Sequence, residues 1–286
     1  MIYAPKLEVP VPMKRFVGMT IDLRQYFFCR KIPARLQTFL LTPCWITVKK
    51  NGGSMKTYLV AGGSSGIGLE LVKKLSAEGH QILVVSRTGA SLQALSGVTH
   101  LAKNLVEEDL DESELPATLN GIAYCPGSIS LKPFRTLKPA AFIEDFQINV
   151  IGAVKVMQAA QKAMKNAQNP SVVLFSTVAV GQGMPFHASI AAAKGAVEGL
   201  TRSLAAEWAP NIRVNCITPS LTDTPLAARL LASEEKKAAA AVRHPLKRVG
   251  TASEVAALAH FLLSENSGWI TGQVIAIDGG MSTLKI

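Results

Sequence analysis

The segment Val60-Ala61-Gly62-Gly63-Ser64-Ser65-Gly66-Ile67-Gly68 constrains this chain more than any other. It joins an apolar run, Thr57 to Ala61, to a stretch with helical spacing, Leu69 to Glu78. A strand that feeds a helix through glycines builds a cradle for phosphate. Gly62 permits the tight turn, Gly66 lets the backbone approach a pyrophosphate, and Gly68 lets helix and strand pack closely. The free N–H groups of the first helical turn and the positive end of its dipole complete the anion site. The spacing is G-x-x-x-G-x-G, and Ser64, Ser65 and Ile67 join the three glycines as cofactor-binding positions.

Gly79 ends the first helical stretch, and the alternation continues. Ile82 to Val85, Ala123 to Cys125, Val172 to Phe175, Arg213 to Ile217 and Val274 to Ile277 are further short apolar runs. Val150 to Ala167, Ala188 to Trp208 and Ser253 to Leu263 carry helical spacing close to them. Strand and helix in repeated alternation predict an α/β fold, a doubly wound parallel sheet covered on both faces. The expectation is one Rossmann-type dinucleotide-binding domain over residues 55–286.

Residues 1–54 do not share this pattern. They mix Pro, Arg and scattered aromatics with no sustained periodicity, and regular alternation starts at Met55. We expect a poorly structured N-terminal extension or a mis-assigned start. A transit peptide should be rich in Ser and free of acids, yet the segment has no Ser before Ser54 and carries Glu8 and Asp22. The segment also holds most of the basic excess: nine Lys/Arg against two acids, whereas the remainder has 21 against 18. A nucleic-acid partner needs a basic stripe on a folded face, and the body of the chain shows none. Leu36 to Val48, the longest uncharged run of the segment, is broken by Pro43 and falls short of the roughly 18 apolar residues of a membrane span. Cys29, Cys44, Cys125 and Cys216 have neither C-x-x-C spacing nor companion histidines, so no metal site or disulfide is expected and the cytoplasm is the expected compartment.

The end of the second strand sets the choice of dinucleotide. An acid there bonds the ribose 2′-hydroxyl of NAD, and a basic residue accommodates the 2′-phosphate of NADP. The residues are Ser86-Arg87. No acid repels phosphate, and a guanidinium fork suits it, so NADP(H) is expected over NAD(H).

Several motifs in fixed order from about Met55 to the C-terminus resemble the short-chain dehydrogenase/reductase family. The glycine turn is similar to the family's T-G-x-x-x-G-x-G, with Ala61 in place of Thr. Asn104-Leu105 takes the place of the adenine-contacting Asp-Val. Tyr124-Cys125-Pro126-Gly127 stands for N-N-A-G and keeps only the glycine. Asn149 matches the helix asparagine. Pro219-Ser220-Leu221-Thr222-Asp223-Thr224 resembles the P-G-x-x-x-T loop that, in the family, holds the carboxamide end of nicotinamide, and Asp278-Gly279-Gly280 resembles the C-terminal strand signature.

The resemblance also implies an active site of Ser, a Tyr thirteen residues on, and a Lys four beyond it. Anchored on Lys194, these places fall on Thr177, Ile190 and Lys194. Carbonyl reduction needs a proton donor at the oxygen, and isoleucine has no proton to give. By the resemblance Thr177 orients a carbonyl, Lys194 binds the nicotinamide ribose and Asn149 holds a water relay. His187, three residues before Ile190 and seven before Lys194, is a further catalytic candidate, since imidazole titrates near neutral pH. The family's dienoyl-thioester reductases also lack tyrosine here, although they carry one aligned with Ala179.

Two functions compete on these grounds. The first is an NADP(H)-dependent oxidoreductase acting on a small carbonyl or enoyl substrate, its proton supplied by water or His187. The second is a catalytically silent NADP-binding homologue acting as a sensor or oligomer partner. The Ala-rich helix Ala188 to Ala206 and the strand before Asp278 resemble the family's assembly elements, so a homo-dimer or homo-tetramer is expected. Leu226 to Pro245 looks like a mobile substrate lid.

Overall fold

Alternate residues of the first strand leave the sheet on opposite sides, and both sides are dry. In the computed structural model, which describes residues 54–285, β1 (Thr57–Ala61) sends Leu59 and Ala61 into one apolar layer and Tyr58 and Val60 into the other. The expectation for residues 1–54 lies outside the described residues, Ser54 excepted. β2 (Gln81–Ser86), β3 (Val98–Ala102), β4 (Gly121–Tyr124), β5 (Ser171–Phe175), β6 (Arg213–Pro219) and β9 (Val274–Ile277) join β1 in one seven-stranded parallel sheet of order β3-β2-β1-β4-β5-β6-β9. Tyr58 lies in register with Ile82 of β2 and Gly121 of β4. A second pair, β7 (Thr222–Asp223) with β8 (Gly250–Thr251), fastens the loop after β6 to the start of the helix Ala252–Leu263.

Helices cover each face because parallel strands need crossovers. One layer takes α3 (Gly152–Lys165) and α5 (Ala188–Trp208), through Val156, Met157, Val197 and Ala205. The other takes α1 (Gly66–Ala77) and α7 (Ala252–Leu263), through Leu71, Val72, Val255 and Leu262. α5 buries Ile190, Ala193, Lys194, Val197, Thr201 and Ala205, a helical stripe that includes one charged residue. α7 begins in a capping box, Thr251 with Glu254, that the Arg248 guanidinium grips through two bonds of 2.9 and 2.5 Å.

Strand order reverses between β1 and β4, and this switch opens a crevice at their carboxyl ends. Gly62 lies there at φ +71°, where a Cβ would stand 3.0 Å from the Pro126 nitrogen. At Gly68 a Cβ would collide with the Gly62 carbonyl oxygen, which is backbone and has no room to yield. Gly68→Ala is therefore expected to cost about 3 kcal/mol, read as a lowered urea midpoint at unchanged m-value; an unchanged midpoint would show that the turn adapts.

α2 (Pro139–Phe146) leads into α3 through one wide turn, Gln147–Ile151, with π-helical bonding. Such turns free a carbonyl from the helix ladder. The Ile148 carbonyl accepts the Tyr124 hydroxyl at 2.6 Å, and the turn aims Asn149 inward.

Candidate active site

Four segments meet at the carboxyl ends of the central strands and enclose a cavity of about 580 Å³. They are the glycine turn, the loop after β4, the start of α5 and the loop after β6, and the segment after β5 and the helix Glu234–Val242 complete the wall. Lys194, on the buried face of α5, donates from Nζ to the Phe175 carbonyl at 2.8 Å. Burial lowers its pKa to about 8, against the pull of Cys216, Cys125 and Asp145. Gly127 stands before it: a Cβ there would lie 3.6 Å from Lys194 Nζ and 3.5 Å from Asn149 Oδ1. The lysine and the asparagine therefore face one spot, and Asn149 Oδ1 is a buried acceptor without a partner among the described residues. Its Nδ2 donates to the Asp145 carbonyl at 2.7 Å and to Ser128 Oγ at 3.0 Å, while Ser128 Oγ donates to the buried Asp145 carboxylate at 2.5 Å.

Thr177 follows β5 by two residues and caps α4 (Val178–Gln182), accepting the Ala179 N–H at 3.3 Å, and it lines the cavity. Ile190 lines it too, one turn before Lys194. His187 reaches the cavity as the cap preceding α5, so it lies just outside the helix. Its Nδ1 is 2.8 Å from the Pro185 carbonyl, a pure acceptor, so Nδ1 carries the proton and Nε2 is the free face. Neither described phenol is available. Tyr124 is spent on Ile148 and pushed up by burial, and Tyr58 is buried in the core at about 12.

The residues present fit a dinucleotide. Gly66 sits at φ +53°, and a Cβ there would meet Thr224 at 3.4 Å, so the glycine turn and the loop after β6 close on each other. The Ser65 side chain makes no capping bond, which leaves the first-turn N–H groups of α1 open to phosphate. A nicotinamide dinucleotide bound in this crevice supplies or takes up a hydride.

A family model described as enoyl-(acyl carrier protein) reductase matches residues 61–282. The chain belongs to the short-chain dehydrogenase/reductase family. A tropinone reductase homolog of Arabidopsis thaliana is 35% identical over 78% of this chain and 92% of its own length. A 3-oxoacyl-[acyl-carrier-protein] reductase of Mycobacterium bovis is 31% identical over 79% and 92%. The solved structure of a short-chain type dehydrogenase/reductase from Mycobacterium ulcerans superimposes with a TM-score of 0.72 at 30% identity, covering 79% of this chain and 90% of that one. The chain is an oxidoreductase of this family, with the family's sheet.

The cofactor positions read from sequence divide into those that face the crevice and those that do not. Gly62, Ser64, Ser65, Gly66, Ile67 and Gly68 form the turn at the start of α1, and Gly127, Pro219 and Thr224 line the crevice opposite. Arg87 is exposed at the end of β2 and makes no hydrogen bond or ion pair among the described residues. Ser86 turns inward: its Oγ donates to the Thr88 carbonyl at 2.9 Å and lies 3.1 Å from His100 Nε2. Leu105 is packed into the core, while the Asn104 side chain accepts the Val106 N–H at 3.3 Å. Sequence reasoning missed Ser128, Asp145, Ser220 and His244. Only Ser220 carried a signal, as a hydroxyl where the P-G-x-x-x-T loop has glycine. No helix among the described residues is long and apolar enough to cross a membrane, and none of their His, Cys, Asp and Glu side chains gather in groups of three that would hold a metal.

Proposed function

We propose that this oxidoreductase uses NADP(H) to reduce or oxidise a small carbonyl or enoyl compound, with Ile190 standing where its family has the proton-donating tyrosine. The observation that carries this reading is the meeting of Lys194 Nζ and Asn149 Oδ1 across Gly127 beneath an apolar cavity. Lys194 holds the ribose hydroxyls, Asn149 and Ser128 hold water beside it, and Thr177 orients the substrate oxygen. The apolar wall given by Ile190, Met184, Leu226 and Leu230 excludes bulk water and suits a small hydrophobic substrate. The proton comes from a group other than a phenol, and water or His187 are the sources legible in sequence. The silent-homologue reading is not favoured, since the relatives named above are reductases. Phe134, Ile143 and Trp269, the last fully exposed, support assembly into a homo-dimer or homo-tetramer.

Arg87 provides the cofactor test. In this reading its exposed guanidinium at the end of β2 is the partner of a 2′-phosphate, and a charge-assisted hydrogen bond of that kind is worth about 1.5–3 kcal/mol. Arg87→Ala is expected to weaken NADPH binding about tenfold or more and to leave NADH binding unchanged, in a fluorescence titration of the full chain. Equal loss for both nucleotides would remove the preference for NADP(H). Consumption of NADPH with a panel of ketones and enoyl thioesters tests the activity, and no turnover above background would return the silent reading.

A further inference from the structure

We propose that Ser220, backed by the buried His244, is the proton donor of this site. The inference rests on the NADP(H) reading and deepens it, replacing water and His187 as the source. Ser220 follows β6 and lines the cavity with Thr177, Ile190 and Lys194. Two residues on, the backbone enters β7, and Thr224 closes against the glycine turn. The Ser220 hydroxyl is therefore carried on the loop that faces the crevice.

His244 is 2% exposed, and both of its nitrogens are engaged. Nδ1 is 2.8 Å from the Ala240 carbonyl in α6 (Glu234–Val242), and because a carbonyl only accepts, Nδ1 carries a proton in every state of the ring. Nε2 is 2.8 Å from Ser220 Oγ. Met281 Sδ lies 3.2 Å from the same hydroxyl, but a thioether is a weak acceptor beside an imidazole nitrogen. A hydroxyl at a cavity wall, an imidazole behind it and a carbonyl fixing the imidazole's tautomer are the parts of an acid–base pair. The charged groups around the ring do not forbid its cationic form. Arg248 and Glu254 neutralise each other, Asp278 is turned to the backbone N–H groups of Gly280 and Ser282, and Arg243 and Lys247 are exposed on the histidine's own segment.

The step balances without a phenol. With a hydride supplied to the carbonyl carbon by a bound reduced dinucleotide, the C=O π pair would become a lone pair on oxygen and would take the Ser220 hydroxyl proton. Ser220 Oγ takes the Nε2 proton of the His244 imidazolium, and the ring is left neutral, to be recharged from solvent. The reverse reaction runs the same proton outward.

The test uses the full chain. Ser220→Ala is expected to bind NADPH as the parent does and to lose about 10²-fold in kcat. His244→Gln is expected to lose kcat to the same extent as Ser220→Ala, and the double variant no more than either. A readout independent of turnover is the ¹⁵N spectrum of the histidines: His244 is expected as the Nδ1–H tautomer, with its Nε2 resonance displaced in Ser220→Ala and that of His187 unmoved. Activity of Ser220→Ala or of His244→Gln within twofold of the parent overturns the pair. Turnover absent in a parent that binds NADPH also overturns it, whereas a parent that binds no NADPH overturns the cofactor reading instead.

Discussion

Ile190→Tyr is expected to raise ketone reduction about 10²-fold. Ile190 is nearly buried on α5, lines the cavity and precedes Lys194 by one helical turn, so the two side chains share a face. A phenol in that place would stand beside a cation, and an adjacent positive charge favours phenolate and makes the hydroxyl a better acid near neutral pH. Thr177 already lines the same space. The exchange adds volume at a packed position and is expected to cost about 1–3 kcal/mol of stability, but the cavity leaves the ring a direction in which to extend. The measurement is kcat with NADPH over the ketone panel, with NADPH affinity determined in parallel. Gain with affinity unchanged supports the vacated-tyrosine reading. Affinity unchanged without gain would mean that Ile190 does not stand at the reacting oxygen, and the alignment of this site with its family would have to be redrawn.

The sheet was largely legible because its strands are apolar runs, buried on both faces and bounded by turns. Six of the seven were read, with Val274–Ile277 matching end to end. The one missed, β3, lies at the sheet edge and is only partly buried, and Thr99 and His100 interrupt its apolar pattern. α2 was also missed: it is short, starts at a proline and buries only Asp145, so it offers no stripe to periodicity. The long helix read from Val150 to Ala167 begins two residues later, because the wide turn at Gln147–Ile151 consumes its start. Motif order brought Lys194, Asn149 and Thr177 forward as candidates because a family pattern relates them, and no such pattern covers the pairs that follow. Ser220 and His244 are 24 residues apart, and Ser128 and Asp145 are 17 apart. Each of those residues is unremarkable alone and acquires its chemistry only from a partner that folding delivers.

Lys194→Met is expected to abolish turnover while making the nucleotide-free protein more stable. The loss of activity, about 10³-fold, follows from removing the buried cation of the cavity, which in the proposed reading holds the ribose and tunes any donor beside it. The gain in stability follows from burial. Lys194 has a pKa of about 8, below the ~10.4 of an exposed lysine, so at pH 7 the folded chain must keep a charge in a dry place that the unfolded chain keeps in water. That penalty is on the order of 3 kcal/mol, and methionine removes it, losing in exchange the bond to the Phe175 carbonyl, about 1 kcal/mol. Between the two pKa values the unfolded chain holds a proton the native chain has released, so this lysine makes native stability rise with pH across that window and contributes no further change above it. Cys125 and Cys216, pushed up to about 12 by burial, act in the opposite sense above ~8.5, because the unfolded chain then loses protons that the native chain retains. Lys194 draws both thiols down, so its removal lets them rise further, but at pH 10 and below the native thiols keep their protons with or without it, and the difference between the two proteins reports mainly the lysine. Urea midpoints at pH 7, 8.5 and 10 are expected to show the variant ahead at pH 7 and the parent overtaking it by pH 10. A variant less stable at pH 7 would mean that Nζ stabilises the empty fold and that its burial is structural, not a cost borne for the nucleotide.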